Sequence, residues 1–175
     1  MLMNNWFECK VAFEKSIGEG KIKKTKESYL VDAMTFTDAE ARIIEEVSPF
    51  CSGELNVTDI KKARYSELFI SDNDNDDKWY KIKVNFITID EKTEEEKKTA
   101  NLVLVQASTL EGALSRFKEG MKGTMVDYDV AMIQETNLLD VFPFKVGEST
   151  TSTASDGNIP ADADVPEEAY QESQQ

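Results

Sequence analysis

With 175 residues, two cysteines, no histidine and a formal charge of −14, the chain is of one-domain size and rules out a Ser-His-Asp or Cys-His catalytic set, a thiolate zinc site built from its own cysteines, and a disulfide-dense secreted scaffold. The start Met1-Leu2-Met3-Asn4-Asn5-Trp6 lacks the basic opening and apolar run of a signal peptide, and no apolar stretch approaches the roughly 20 residues that span a bilayer, so a cytoplasmic protein with no membrane partner is expected. A charge this negative argues against a generic basic nucleic-acid coat.

In chain order, Phe7, Cys9, Val11 and Phe13 alternate with Glu8, Lys10, Ala12 and Glu14, the period of a half-buried strand. Ile17-Gly18-Glu19-Gly20 supplies a turn, and Glu27 to Met34 the returning strand. Thr37 and Glu40 have the spacing of a capping box, and Ala39, Ile43 and Val47 follow at helical intervals until Pro49 and Gly53. An extended stretch from Glu54 to Ile70 closes the first unit, and the polar run 71–78 connects it to a second. That second unit repeats the order. Tyr80, Ile82, Val84 and Phe86 alternate, then Leu110, Ala113, Leu114, Phe117 and Met121 form a helix stripe ended by Gly120 and Gly123, and Thr124 to Val141 is extended.

The repetition is residue by residue, at an offset of about 73. Trp6-Phe7-Glu8-Cys9-Lys10-Val11 aligns with Trp79-Tyr80-Lys81-Ile82-Lys83-Val84, Lys23-Lys24-Thr25 with Lys97-Lys98-Thr99, Leu30-Val31 with Leu104-Val105, and Arg42 with Arg116. One ββαβ unit is too small to be stable alone, so the two are expected to share a core. The fold class expected is α+β: duplicated ββαβ units, 5–70 and 79–144, forming one domain over 1–146. Its sheet should be mainly antiparallel, of about six strands, with two helices on one face. An OB-like barrel is the alternative. Residues 147–175 hold seven acidic residues and no Lys or Arg, with too little apolar surface to offset ordering entropy, and a disordered acidic C-terminal tail is expected.

If Phe7 to Phe13 face the core, Trp6 lies on the opposite side of its strand with Glu8 and Lys10, and Trp79 likewise with Lys81 and Lys83. Aromatic rings beside lysines are the parts of a single-stranded nucleic-acid platform, in which bases stack at about 1–3 kcal/mol each and lysines follow phosphates. The candidate site is therefore Trp6, Lys10, Trp79, Lys81 and Lys83, extended along the hairpins by Lys21, Lys23, Lys24, Lys97 and Lys98. The competing reading is that each tryptophan packs on a sheet edge or helix end and the lysines guard exposed strands.

No catalytic constellation emerges, and no enzyme, cofactor or metal site is expected. Asp72-Asn73-Asp74-Asn75-Asp76 imitates a calcium loop, but Asp77 stands where glycine is required and Lys83 where a bidentate Glu is required. The run is read as a solvated linker. Cys9 reads as core and Cys51 as a thiol without an activating neighbour. Arg42 and Arg116 read as helix-surface charges or salt-bridge partners.

Trp6-Phe7-x-Cys9-Lys10-Val11, the segment 29–43, Asp77-Lys78-Trp79-Tyr80-Lys81-x-Lys83-Val84-Asn85-Phe86 and Asp140-Val141-Phe142-Pro143 together resemble an uncharacterised family of gut-bacterial phages, including crAss-like phages, and related bacterial genomes. The resemblance covers about residues 5–144. It implies a mobile-element context and transfers no catalytic residues. Several phage single-stranded-DNA-binding proteins are also similar in plan, being compact and β-rich with an acidic flexible tail. The leading expectation is thus a non-sequence-specific single-stranded DNA-binding protein of a phage or prophage replication module, whose acidic tail competes with DNA and recruits replication proteins. The alternative is an acidic protein-binding inhibitor or adaptor, acting as a DNA mimic.

Overall fold

Residues 5–144 are described in the computed structural model, and the acidic segment 147–175, for which disorder is expected, lies outside the described residues. Strands β1 (Trp6–Ser16) and β2 (Ile22–Asp32) form an antiparallel hairpin running from Trp6 opposite Asp32 to Ser16 opposite Ile22. Its turn needs left-handed backbone, with φ of +92° at Gly18 and +71° at Gly20; glycine adopts these values without a Cβ clash.

Helix α1 (Phe36–Val47) starts earlier than the Thr37–Glu40 spacing predicts. Thr35 is the N-cap: its hydroxyl accepts the Asp38 amide at 3.1 Å, and the Asp38 carboxylate accepts the Thr35 amide at 3.1 Å. Both box patterns are present in the sequence. The one that begins on the last extended residue wins, since an N-cap must have non-helical dihedrals. Ala39, Ile43 and Val47 are the buried stripe, and Pro49 lies in the short 3-10 turn Ser48–Phe50 that ends the helix.

The stretch expected as one extended segment is two strands, β3 (Leu55–Ala63) and β4 (Tyr65–Phe69), interrupted at Arg64. The second repeat follows the same plan: β5 (Lys78–Ile89), β6 (Glu96–Ala107), α2 (Leu110–Gly120), β7 (Asp127–Glu135) and β8 (Leu138–Phe142). The protein is α+β, with two helices and eight strands in two mixed sheets ordered β3-β1-β2-β8 and β4-β6-β5-β7.

Two sheets replace the single sheet expected because each repeat sends its last strand to the other. β8 pairs in parallel with β2 of the first repeat, and β4 pairs in parallel with β6 of the second. The exchanged strands bring aromatic anchors: Phe142 stacks on Tyr29 at 5.6 Å between ring centres, and its counterpart Phe69 meets Phe117 edge-on at 6.3 Å. The register also breaks at the same place in each repeat, between Lys10 and Val11 and between Lys83 and Val84. Such bulges redirect side chains.

Three apolar clusters result. One lies under α1 (Phe7, Cys9, Val11, Phe13, Ile43) and one under α2 (Tyr80, Ile82, Val84, Phe117). The third is built from the opposite faces of the two sheets: Trp6, Leu30, Trp79, Leu104, Leu138 and Val141.

Candidate nucleic-acid interface

Strand register puts both tryptophans where the alternation predicts, on the strand faces turned away from the helices. Those faces are not open, however. Trp6 is 5% and Trp79 3% exposed, packed against each other's sheets with Leu30 and Leu104. A base can stack on either ring only if the sheets part, so the tryptophans are removed from the candidate site. The competing reading, packing on a sheet edge or a helix end, is not the arrangement found either: the rings lie in a cluster of strand residues contributed by both sheets. An alternating strand cannot reveal this by itself, because its second face is solvated or buried according to what the rest of the chain lays against it.

Beyond the tryptophans the two faces diverge from apolar to polar. Lys10 and Glu8 on β1 and Lys81 on β5 line one crevice of about 210 Å³, together with Tyr65, Gln134, Glu135 and Asn137. Two predicted lysines from different repeats therefore share a site. Tyr65 starts the exchanged strand β4, and its half-buried phenol is pushed up to about 12 by burial and then by the charge of Glu8. It remains a neutral hydrogen-bonding group at every physiological pH. The crevice is smaller than the roughly 300–1,000 Å³ of drug-sized ligand pockets, and its lining sets two lysines against the two carboxylates Glu8 and Glu135, among amide and hydroxyl groups.

Lys83 follows Lys81 on the same face and stands beside Leu102, which in turn pairs with Tyr65. Lys10, Lys81 and Lys83 form no ion pair within 4.0 Å among the described residues. The hairpin lysines are not part of this grouping. Lys24 lies opposite Glu14 and Lys98 opposite Ile87, each eight residues along its strand from the tryptophan row, or about 27 Å at about 3.4 Å per residue. Several are also neutralised: Lys21 lies 3.6 Å from Glu19, Lys24 4.0 Å from Glu14 and Lys98 3.2 Å from Asp129. Lys23 stands across from Lys15 and Lys97 across from Thr88. A larger hollow of about 450 Å³ near the first hairpin balances Lys24 and Lys26 with Glu14 and Glu54, and joins nothing from the second repeat.

The acidic loop is not simply a solvated linker. Asp76 is buried, accepting the Ser108 amide at 2.8 Å, the Ser71 hydroxyl at 2.5 Å and the Arg116 guanidinium at 2.6 Å. The Ser71 hydroxyl, ahead of the Ser108 amide and Arg116, holds the carboxyl below the usual carboxylate range against the opposing effect of burial. Arg116 is thus a salt-bridge partner that ties the loop to α2. Its counterpart Arg42 pairs with Glu46 at 3.7 Å one turn on, and also donates to the carbonyls of Asp32 and Pro143 and lies over the Phe144 ring. Burial, then Glu8, pushes the Cys9 thiol up to about 12, as befits a core residue. Among the described residues there is no group of three or more His, Cys, Asp or Glu placed to hold a metal, and no helix is long and apolar enough to cross a membrane.

The model of one protein family, described as a domain of unknown function (DUF4494), matches residues 5–144. The chain belongs to that family. The matched span coincides with the described residues and therefore contains both repeats, the exchanged strands and the crevice between the sheets, while the acidic segment is outside it. No curated protein and no solved structure matches the chain.

Proposed function

We propose that the protein binds single-stranded DNA without catalysis, as part of a phage or prophage replication module acting in the host cytoplasm. The observation that carries the reading is the crevice in which Lys10 and Lys81, from separate repeats, flank Tyr65. The strand's phosphates meet the unpaired ammonium groups, and one unstacked base enters beside Tyr65, where Gln134 and Asn137 offer amides to its edge. Duplex DNA cannot present a base in this way. The acidic residues Glu148 to Glu172 then act as an arm that competes with DNA and recruits replication proteins.

A second reading is supported by charge. Residues 1–146 hold 27 acidic against 20 basic residues, and much of the hairpin lysine charge is neutralised by carboxylates; an acidic adaptor or inhibitor that captures a basic protein fits this surface. The test is fluorescence anisotropy with a labelled oligothymidylate at low and near-physiological salt, with duplex DNA as control. Single strands should bind in preference to duplex, and a Lys10→Glu, Lys81→Glu double variant should lose about tenfold or more in affinity. Equal binding by the double variant, or no preference for single strands, gives the field to the adaptor reading.

A further inference from the structure

The two repeats make the same crossing between sheets with opposite chemistry. At the 73-residue offset, Lys61-Lys62-Ala63-Arg64-Tyr65 corresponds to Gln134-Glu135-Thr136-Asn137-Leu138. Each run ends a strand in one sheet and begins the exchanged strand in the other: β3 to β4 in the first repeat, β7 to β8 in the second. The second crossing lines the crevice that holds Lys10, Lys81 and Tyr65. It carries one carboxylate and no cation, and that carboxylate, Glu135, is engaged by Lys78 at 3.4 Å. The first crossing carries three cations.

Register shows what these cations stand beside. Lys61 pairs with Glu8 on β1, as Gln134 pairs with Lys81 on β5. Tyr65 pairs with Leu102, and Leu102 with Lys83, so Lys83 is two strands, about 10 Å, from the start of β4. By the repeat offset, the counterparts of the residues lining the polar crevice are Lys61, Lys62, Arg64, Lys81 and Lys83, with Glu8; Lys62 pairs with Phe7 and so leaves β3 on the α1 side, while Lys61 shares the face of Glu8. Of these only Lys61 is ion-paired within 4.0 Å among the described residues, to Asp59 at 3.1 Å. Glu8 and Glu67 are the other carboxylates on these strands near the crossing, and they leave a net positive patch. Lys61, Lys62 and Arg64 are all exposed.

We propose that the β3–β4 crossing is a phosphodiester-backbone site, in which Lys61 and Arg64, with Lys81 and Lys83, hold consecutive phosphates of a polynucleotide strand. Arg64 supplies the planar, bidentate contact and the lysines supply point charge. Lys81 lines the polar crevice and shares its face of β5 with Lys83, so a strand held by the basic crossing leads to the polar crevice where a base is read. One repeat has kept the duplicated crossing for charge and the other for hydrogen bonding. The proposal rests on the preceding reading for the identity of the strand, whereas its anion chemistry stands on the basic crossing alone.

The experiment uses the full chain, with a labelled oligothymidylate and inorganic polyphosphate as separate probes. The crossing is neutralised as Lys61→Gln, Arg64→Gln, and Lys118→Gln, Lys122→Gln, at the end of α2 and in the turn after it, controls for loss of the same charge; thermal melting confirms that both variants fold. The crossing variant should weaken oligonucleotide binding about tenfold or more at low salt. Its plot of log affinity against log salt should flatten by about 1.4, from about 0.7 for each of two phosphates released. Polyphosphate binding should fall in parallel, and the α2 variant should match wild type within about twofold. Affinities of the crossing variant within about twofold of wild type for both probes overturn the proposal, as does an equal loss in the α2 variant or failure of wild type to bind either probe. Polyphosphate captured by wild type and released by the crossing variant, with no oligonucleotide binding, upholds the anion site and removes the single-strand reading instead.

Discussion

Replacing Trp79 by alanine separates a ring that binds ligand from a ring that holds two sheets together. Trp79 is 3% exposed, and its neighbours Trp6, Leu30, Leu104, Leu138 and Val141 come from both sheets. Deleting a buried indole costs about 3–5 kcal/mol in lost transfer energy and residual cavity. A domain of this size is stable by about 5–15 kcal/mol and has a urea m-value near about 2 kcal/mol/M, so the unfolding midpoint should fall by about 1.5–2.5 M. Trp79→Phe keeps most of the packing and should cost about 1–3 kcal/mol, a smaller shift in the same direction. Equilibrium urea unfolding followed by far-ultraviolet circular dichroism measures both. In wild type, iodide should quench little of the tryptophan emission, since both rings are enclosed. An unchanged midpoint for Trp79→Ala, together with full quenching of wild type by iodide, would refute the inter-sheet core.

Two further predictions follow from contacts made by the exchanged strand and the acidic loop. A Cβ built on Gly120 would sit 2.8 Å from Cζ of Phe69 and closer to Cε1, so Gly120→Ala should destabilise by about 1–3 kcal/mol despite the better helix propensity of alanine. Adding Phe69→Leu should recover part of that loss in the same unfolding assay, and simple additivity of the two would refute the clash. Asp76 has a folded-state carboxyl held below its usual range, so it stabilises the fold above its unfolded value and that contribution disappears as pH falls through the folded one. Acid titration of the melting temperature should therefore show a decline below about pH 4 that is flatter in Asp76→Asn; identical slopes in the two proteins would refute the sign or the site.

Much of the candidate site was legible as residue type and little of it as geometry. Lys10, Lys81 and Lys83 were identifiable because the strands that carry them alternate cleanly, and alternation alone places a side chain on one face. The same logic set Trp6 and Trp79 on the polar face, and there it stopped. Burial of a strand's second face depends on a partner surface that is remote in sequence. Tyr65, Lys61, Lys62 and Arg64 carry no such local signal, for a related reason. They sit in what reads as one unbroken extended stretch, and the only local sign of a crossing is the cluster Lys61-Lys62-Ala63-Arg64, whose counterpart Gln134-Glu135-Thr136-Asn137 gains meaning only once the two are seen to be equivalent.

The amino-acid sequence by itself determined the duplication, the α+β class, the first hairpin with its glycine turn, and the helix stripes Ala39-Ile43-Val47 and Ala113-Phe117. All of these rest on periodicities of two and 3.6 or on backbone preferences that act within a few residues. The tertiary structure alone decided that β4 and β8 change sheets, that two sheets form in place of one, and that Asp76 anchors a loop made almost wholly of polar residues. Those outcomes depend on pairing between segments dozens of residues apart. The exchanged strands supply Phe69 and Phe142 to the opposite cores and close both sheets around a shared apolar interior, which no local preference of a five-residue strand encodes.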